Sequence, residues 1–109
     1  MKLCNPFTQE TRLLYLYRYD CDKCGSNRSL ELHHITGRGS ASPLNASLVC
    51  HDCHEHLNHN ENEEQELFMI NILFLIKEQY KITQNDIEFL RNNPRLIKNN
   101  TKLIKWLKF

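Results

Sequence analysis

Residues 30–58 read LELHHITGRGSASPLNASLVCHDCHEHLN and run into the second half of a four-cysteine frame. The frame consists of two CxxC steps that are separated by twenty-five residues, Cys21 with Cys24 and Cys50 with Cys53. Two thiolates that stand two residues apart can occupy adjacent corners of one tetrahedron, so paired CxxC steps are typical of a structural zinc site. We therefore predict that the four cysteines bind one structural Zn²⁺ and that the neighbouring histidines serve a second task.

The length and composition of the chain predict a soluble, cytoplasmic protein. A chain of 109 residues predicts one domain. The N-terminus lacks the apolar run of a signal peptide, and the longest apolar stretch, residues 67–76, is too short to span a bilayer. In a reducing compartment the paired cysteines are expected to bind metal rather than form disulfides. A metal-stapled core of about 50 residues buries little apolar surface, so zinc is expected to be integral to folding.

Hydrophobic spacing and capping residues predict an α+β fold. A helix is predicted over residues 8–18 with Thr8 as its cap, and strands are predicted over residues 30–35 and 46–49. A short helix over residues 51–58 follows. Asn60, with Glu63 three positions later to complete a capping box, predicts a capped helix that contains residues 67–76. Thr83 is predicted to cap a helix that ends near Asn92, and Pro94 suits the first position of the last helix.

Two features of the second half of the chain leave alternatives open. The apolar helix over residues 67–76 is expected to be buried under the zinc module, or to form a homodimer. Residues 1–88 carry a net charge of −5, whereas residues 89–109 carry +6 and no acidic residue. A basic tail on an acidic domain is suited to binding a polyanion. The alternative is a solvated helix face that keeps the protein soluble.

The order of residues around the cysteines resembles that of HNH endonucleases of the four-cysteine, zinc-stapled kind. The matching pieces are the first CxxC step, the strand Glu31-Leu32-His33-His34-Ile35, Asn45, and Cys50-His51-Asp52-Cys53-His54. The resemblance covers about half the chain, residues 12–59. It implies a small ββα-metal (His-Me finger) module in residues 1–60, with an N-terminal helix. Residues 61–109 would form a helical extension with a basic C-terminal segment, within the same compact domain. Small proteins of this type are typical of phages and mobile elements.

The resemblance implies a metal-dependent hydrolase that cuts DNA phosphodiester bonds. It assigns His33 and His54 to one catalytic divalent metal, His34 to the general base, and Asn45 to orienting that base and fixing the loop. Because adjacent strand residues point to opposite faces, His33 and His34 can have different tasks. A neutral imidazole is a suitable base because its pKa lies near working pH. The metal is expected to stabilise charge on the phosphate and on the leaving oxygen.

The chain departs from the family at the next metal ligand. Related proteins often carry a further His four residues after the last signature His, where this chain has Asn58, followed by His59. The third ligand is therefore open between His59, Asn58 and water. With two imidazoles in the site, we expect Mn²⁺, Co²⁺, Ni²⁺ or Zn²⁺ to be accepted as well as Mg²⁺.

Basic side chains are predicted to contact the nucleic acid. Arg38, in the loop beside the site, can hold the scissile phosphate with its two-pronged guanidinium. The residues expected to hold the DNA backbone are Arg95, Lys98, Lys102, Lys105 and Lys108. RNA is left open as a substrate. Two other functions compete with the nuclease: a zinc-dependent nucleic-acid-binding module without cleavage, and a zinc-stapled protein-interaction domain.

Overall fold

In the computed structural model, which describes residues 7–37 and 39–98, two antiparallel strands are surrounded by helices. The elements in chain order are α1 (Gln9–Leu14), β1 (Leu30–His34), β2 (Ala46–Cys50), α2 (His51–Glu55), α3 (Glu61–Lys77) and α4 (Gln84–Asn92). Short 3₁₀ turns occupy Pro43–Asn45 and Pro94–Ile97. The predicted α+β class is confirmed, and so is the position of both strands.

The two strands pair in a register that sets which side chains share a face. Leu30 lies opposite Cys50, and His34 lies opposite Ala46. Every residue of β2 is buried, because helices and loops cover both faces of the sheet. Leu48 packs on one face in a small cluster with Phe7, whereas Val49 belongs to the main core. β2 therefore lies inside the molecule, and the site residues on β1 pair with a buried strand.

The helix α3 supplies four buried residues of the main core. Leu67, Phe68, Ile72 and Leu75 are at most 1% exposed, which confirms the predicted burial of this apolar stretch. Leu73 on the same helix is 58% exposed. Homodimerisation through this helix stays a prediction. Across the part of the chain that the structure describes, no helix is long and apolar enough to cross a membrane.

The predicted caps are present, although two helices are shorter than predicted. The capping box predicted at Asn60 is wrong, because the Glu63 carboxylate accepts from the backbone N–H groups of Asn58 and His59. Thr8 accepts a hydrogen bond from the backbone of Thr11, and Thr83 forms a complete capping box with Asp86. The predicted extent of the first helix, residues 8–18, is wrong, because α1 ends at Leu14 and continues only as i→i−3 turns. The helix α2 was predicted to reach residue 58 but ends at Glu55.

Buried polar contacts connect the two halves of the chain. The fully buried Asn71 donates to the carbonyl of Pro43 at 2.8 Å and accepts a hydrogen bond from the hydroxyl of Tyr15. Asp86, which is 1% exposed, accepts from Ser42 Oγ at 2.6 Å. These contacts link residues on both sides of the predicted boundary at residue 60, and the boundary itself remains a prediction.

Candidate metal centres

The four cysteines of the two CxxC steps come together at one point. Cys21 and Cys24 lie on the loop before β1, Cys50 ends β2, and Cys53 lies on α2. All four sulfur atoms lie within 4.8 Å of one another, and those of Cys24 and Cys50 are 3.8 Å apart. Thiolates bound to one tetrahedral Zn²⁺ at about 2.3 Å would be separated by about 3.8 Å. The cluster can therefore hold a structural metal such as zinc.

The electrostatics of the cluster also favour a bound cation. The backbone N–H of Lys23 donates to Cys21 Sγ at 3.3 Å, and that of Cys53 donates to Cys50 Sγ at 3.4 Å. Burial alone would raise the pKa of Cys21, but the surrounding backbone N–H groups lower it to about 7. Burial and the neighbouring thiols raise the pKa of Cys53. A divalent cation would relieve this mutual repulsion and let all four sulfurs ionise.

A pair of histidines lies beside this cluster. His33 Nδ1, on β1, is 3.2 Å from His54 Nε2, on α2. Burial, with the neighbouring His54 and His59, lowers the pKa of His33 to about 4. His33 is therefore neutral near pH 7, as a metal-binding imidazole must be. Among the described residues, only the four cysteines form a group of three or more ligand atoms this close together.

Glu31 orients one ring of the pair. Its Oε1 is 2.7 Å from His54 Nδ1, and its Oε2 is 3.1 Å from His51 Nδ1. The hydrogen bond from His54 lowers the pKa of Glu31, so the carboxylate is ionised and only accepts. His54 Nδ1 consequently carries the hydrogen, which leaves the lone pair of a neutral ring on Nε2, toward His33. Sequence reasoning placed Glu31 in the motif strand without a role.

His34 occupies a different environment from His33. Its ring stacks on that of the buried Phe7, with ring centroids 3.9 Å apart and an interplanar angle of 6°. The backbone carbonyl of His34 accepts from the N–H of Gly37 at 3.1 Å. The structure thus gives the two adjacent histidines separate partners. The assignment of His34 as general base stays a prediction.

Asn45 is fully buried and holds the loop that follows His34. Its Oδ1 accepts from the backbone N–H of Thr36 at 2.9 Å and from the hydroxyl of Thr36 at 3.1 Å. Its Nδ2 donates to the carbonyls of Gly37 and Ser40, each at 3.0 Å. Asn45 therefore closes this loop. Arg38, predicted to hold the phosphate, lies outside the described residues.

The end of α2 brings a third histidine to the pair. Because α2 stops at Glu55, the chain turns, and the ring of His59 lies with its centroid 5.8 Å from that of His33. The backbone N–H groups of Asn58 and His59 donate to the carboxylate of Glu63 at 3.1 Å and 2.9 Å. The choice among His59, Asn58 and water as the third ligand stays a prediction.

The predicted DNA-contacting residues that the structure describes are engaged with acidic residues of α3. Arg95 Nε donates to Glu64 at 2.8 Å, and this hydrogen bond raises the pKa of Arg95. Lys98 Nζ lies 3.8 Å from Glu61. Their contact with nucleic acid stays a prediction. The other predicted contacts lie outside the described residues: Lys102, Lys105 and Lys108.

A scan against protein-family models, a search of curated proteins and a search of solved structures each found no match to this chain.

Proposed function

We propose that the protein is a metal-dependent endonuclease of the HNH type, which hydrolyses DNA phosphodiester bonds. The observation that carries this proposal is the 3.2 Å between His33 Nδ1 and His54 Nε2. Two imidazole nitrogens bound to one ion at about 2.1 Å would be separated by about 3.0 to 3.4 Å, depending on the coordination angle. The pair therefore fits a single divalent metal, and we assign His59, whose ring centroid lies 5.8 Å from that of His33, as its third protein ligand.

The surroundings of the pair support metal binding over a simple hydrogen bond between two rings. Metal-binding histidines usually donate their second ring N–H to a carboxylate, which fixes the tautomer and the ring orientation. Glu31 accepts such a bond from His54 at 2.7 Å. The order β1, β2, α2, with His33 on the first strand and His54 on the helix, supports a ββα-metal module.

The residues of the chain divide the proposed reaction between them. When bound, the divalent metal would stabilise negative charge on the phosphate and on the leaving 3′-oxygen. His34 takes a proton from the attacking water, and its stacking on Phe7 limits the orientations of the ring. Asn45 holds the loop that begins just after His34. The products would carry a 5′-phosphate and a 3′-hydroxyl.

A zinc-stapled protein-interaction domain is the second candidate function. The observation that favours it is a concentration of large apolar side chains that are more than half exposed. They occur at the end of α1 and just after it, and on α3: Leu13, Leu16, Tyr17, Tyr19 and Leu73. Exposed apolar patches of this kind often mark binding surfaces. This candidate predicts nucleic-acid affinity that is weak and depends little on salt.

The experiment that tests the proposed function is cleavage of supercoiled plasmid by zinc-loaded protein with Mg²⁺, Mn²⁺ or Ni²⁺, and with chelator. We expect the wild type to nick the plasmid only with metal, and His34→Ala to lose at least about 100-fold in rate, because a general base contributes that much or more. His56→Ala is the matched control, since His56 is exposed and its Nδ1 faces the carbonyl of Asp52.

Calorimetry should show that His34→Ala still binds the divalent metal. Full cleavage by His34→Ala would contradict the assignment of the base. Absence of cleavage by folded, zinc-loaded wild type with all three metals would overturn the nuclease proposal.

A further inference from the structure

Both carboxylate oxygens of Glu63 accept hydrogen bonds from the backbone of the segment between α2 and α3. Oε2 accepts from the backbone N–H of Asn58, and Oε1 accepts from that of His59. A capping box would direct this carboxylate to the N–H of Asn60, the cap of α3. Asn60 accepts from the backbone N–H of Glu63 at 2.8 Å, but the Glu63 side chain reaches past it. Glu63 therefore holds the segment that carries His59, in addition to its place in the first turn of α3.

His59 has a backbone conformation that needs such support. Its φ is 57°, in the left-handed region that residues other than glycine rarely adopt. Disfavoured conformations persist where the surroundings over-determine them, and they cluster at functional sites. The 2.9 Å hydrogen bond from the His59 N–H to Glu63 helps to hold His59 in this conformation. The result is a ring placed beside His33.

Lys23 connects this arrangement to the cysteine cluster. It stands between Cys21 and Cys24, and its backbone N–H donates to Cys21 Sγ at 3.3 Å. Its Nζ lies 3.4 Å from Glu63 Oε2, and the Glu63 side chain is only 6% exposed. Lys23 thus contacts a sulfur of one candidate metal centre and the residue that holds a histidine of the other.

From these contacts we infer that Glu63 is a positioning residue that fixes His59 as the third ligand of the histidine site. Lys23 couples that site to the four-cysteine site. The inference rests on the proposed function, because it presupposes a metal at His33 and His54. It accounts for a third ligand that lies beyond the end of α2 instead of on the helix. It also makes the catalytic metal affinity depend on a residue of the zinc-binding loop.

The test measures Ni²⁺ affinity of zinc-loaded protein by calorimetry, with His33→Ala as the reference without the site. We expect Glu63→Gln and His59→Ala each to weaken Ni²⁺ binding by about 10- to 100-fold, the range for residues that support metal ligands. The double variant should bind no more weakly than His59→Ala, because both changes remove the same ligand. Glu66→Gln is the matched control, since Glu66 is exposed and lies 3.8 Å from the same Lys23 Nζ.

Two further readouts separate positioning from capping. Plasmid nicking by Glu63→Gln should need more Ni²⁺ but reach the wild-type rate at saturation. A loss of folded protein would instead lower the rate at saturating Ni²⁺. Lys23→Gln, at a partly exposed position, should also weaken Ni²⁺ binding, by a smaller factor. A lower melting temperature of Glu63→Gln with unchanged Ni²⁺ affinity would overturn the inference alone. Absence of Ni²⁺ binding at the histidines of the wild type would overturn the proposed function together with it.

Discussion

The buried side chain of Asn45 forms hydrogen bonds with four groups of one loop, so its replacement should strongly destabilise the fold. Asn45→Ala leaves the N–H of Thr36 and the carbonyls of Gly37 and Ser40 without this partner. We expect a loss of about 3 kcal/mol in the free energy of unfolding, because each unsatisfied buried polar group is destabilising. Urea denaturation of the zinc-loaded protein measures it.

The nearly isosteric change Asn45→Asp should be worse than Asn45→Ala at neutral pH. The introduced carboxylate would face the two carbonyls that the amide now donates to, which raises its pKa in the folded state. The penalty is therefore full above that pKa and decreases as the pH falls and the group is protonated. Asn85→Asp, at an exposed position in the first turn of α4, is the control and should change little. A smaller loss for Asn45→Asp would contradict the assigned amide orientation.

Individual site residues were predictable where the pattern is local. The alternation along a strand places Glu31 and His33 on the same face of β1, and the motif order identifies His33 and His54. The role of Glu31 was missed because its contact with His54 joins residues 23 positions apart. The sequence left His59 and Asn58 both open as third ligands because the choice depends on where α2 ends. The helix ends at Glu55, and the backbone N–H groups of Asn58 and His59 donate to Glu63, contacts that sequence spacing does not reveal.

The start of α4 combines a local cap with a long-range contact, and the two should differ in strength. Thr83→Ala removes the capping oxygen and should cost about 1 kcal/mol of stability. Asp86→Asn should cost more, about 2 to 3 kcal/mol, because the hydroxyls of Ser42 and Tyr80 also donate to this carboxylate. An amide would turn an N–H₂ group toward one of these donors. Urea midpoints of the two variants compare them.

Thr83→Ser is the control for the cap, because it keeps the accepting oxygen. Equal losses for Thr83→Ala and Asp86→Asn would mean that the link from α4 to Ser42 contributes nothing to stability.

The helix caps were predicted correctly because they depend on local contacts, whereas the helix lengths were not. Thr8, Asn60 and Thr83 were predicted as caps, and each accepts the expected backbone hydrogen bond, because a cap involves only neighbours three positions away. The lengths of α1 and α2 were overestimated, since apolar spacing continues past the point where the backbone bonds change. After Leu14 the chain follows i→i−3 turns. Arg18 then bonds Asp22, four positions further along the chain.

The stability of the whole molecule should depend on the cysteine cluster. A structural zinc site contributes about 10 to 16 kcal/mol of binding free energy, whereas a small domain is stable by only about 5 to 15 kcal/mol. Cys21→Ser, which removes a buried cysteine of the cluster, should therefore abolish the cooperative thermal transition. Strong chelator should do the same to the wild type. Circular dichroism during heating measures this transition. Cys4→Ser is the control, because Cys4 is the fifth cysteine of the sequence and belongs to neither CxxC step. Unchanged melting of Cys21→Ser would exclude a structural role for the metal.

Tests of the basic C-terminal segment must spare the part that belongs to the core. Leu96 is 0% exposed within the main core, and Arg95 bonds Glu64 on α3. Deletion from residue 95 onward would therefore remove core packing and lower stability independently of any DNA contact. Substitutions of the lysines beyond Lys98 avoid this, because they leave residues 95–98 unchanged.

The combined substitution of Lys102, Lys105 and Lys108 by Gln should weaken DNA binding and flatten its dependence on salt. Each phosphate contact contributes about 0.9 to the slope of log affinity against log salt, so three lysines account for a change of about 3 at most. Fluorescence anisotropy with labelled duplex DNA between low and physiological salt measures the slope. Lys81→Gln, at an exposed lysine that is not among the predicted contacts, is the control and should leave the slope unchanged. An unchanged slope in the folded triple variant would assign DNA contact to another surface.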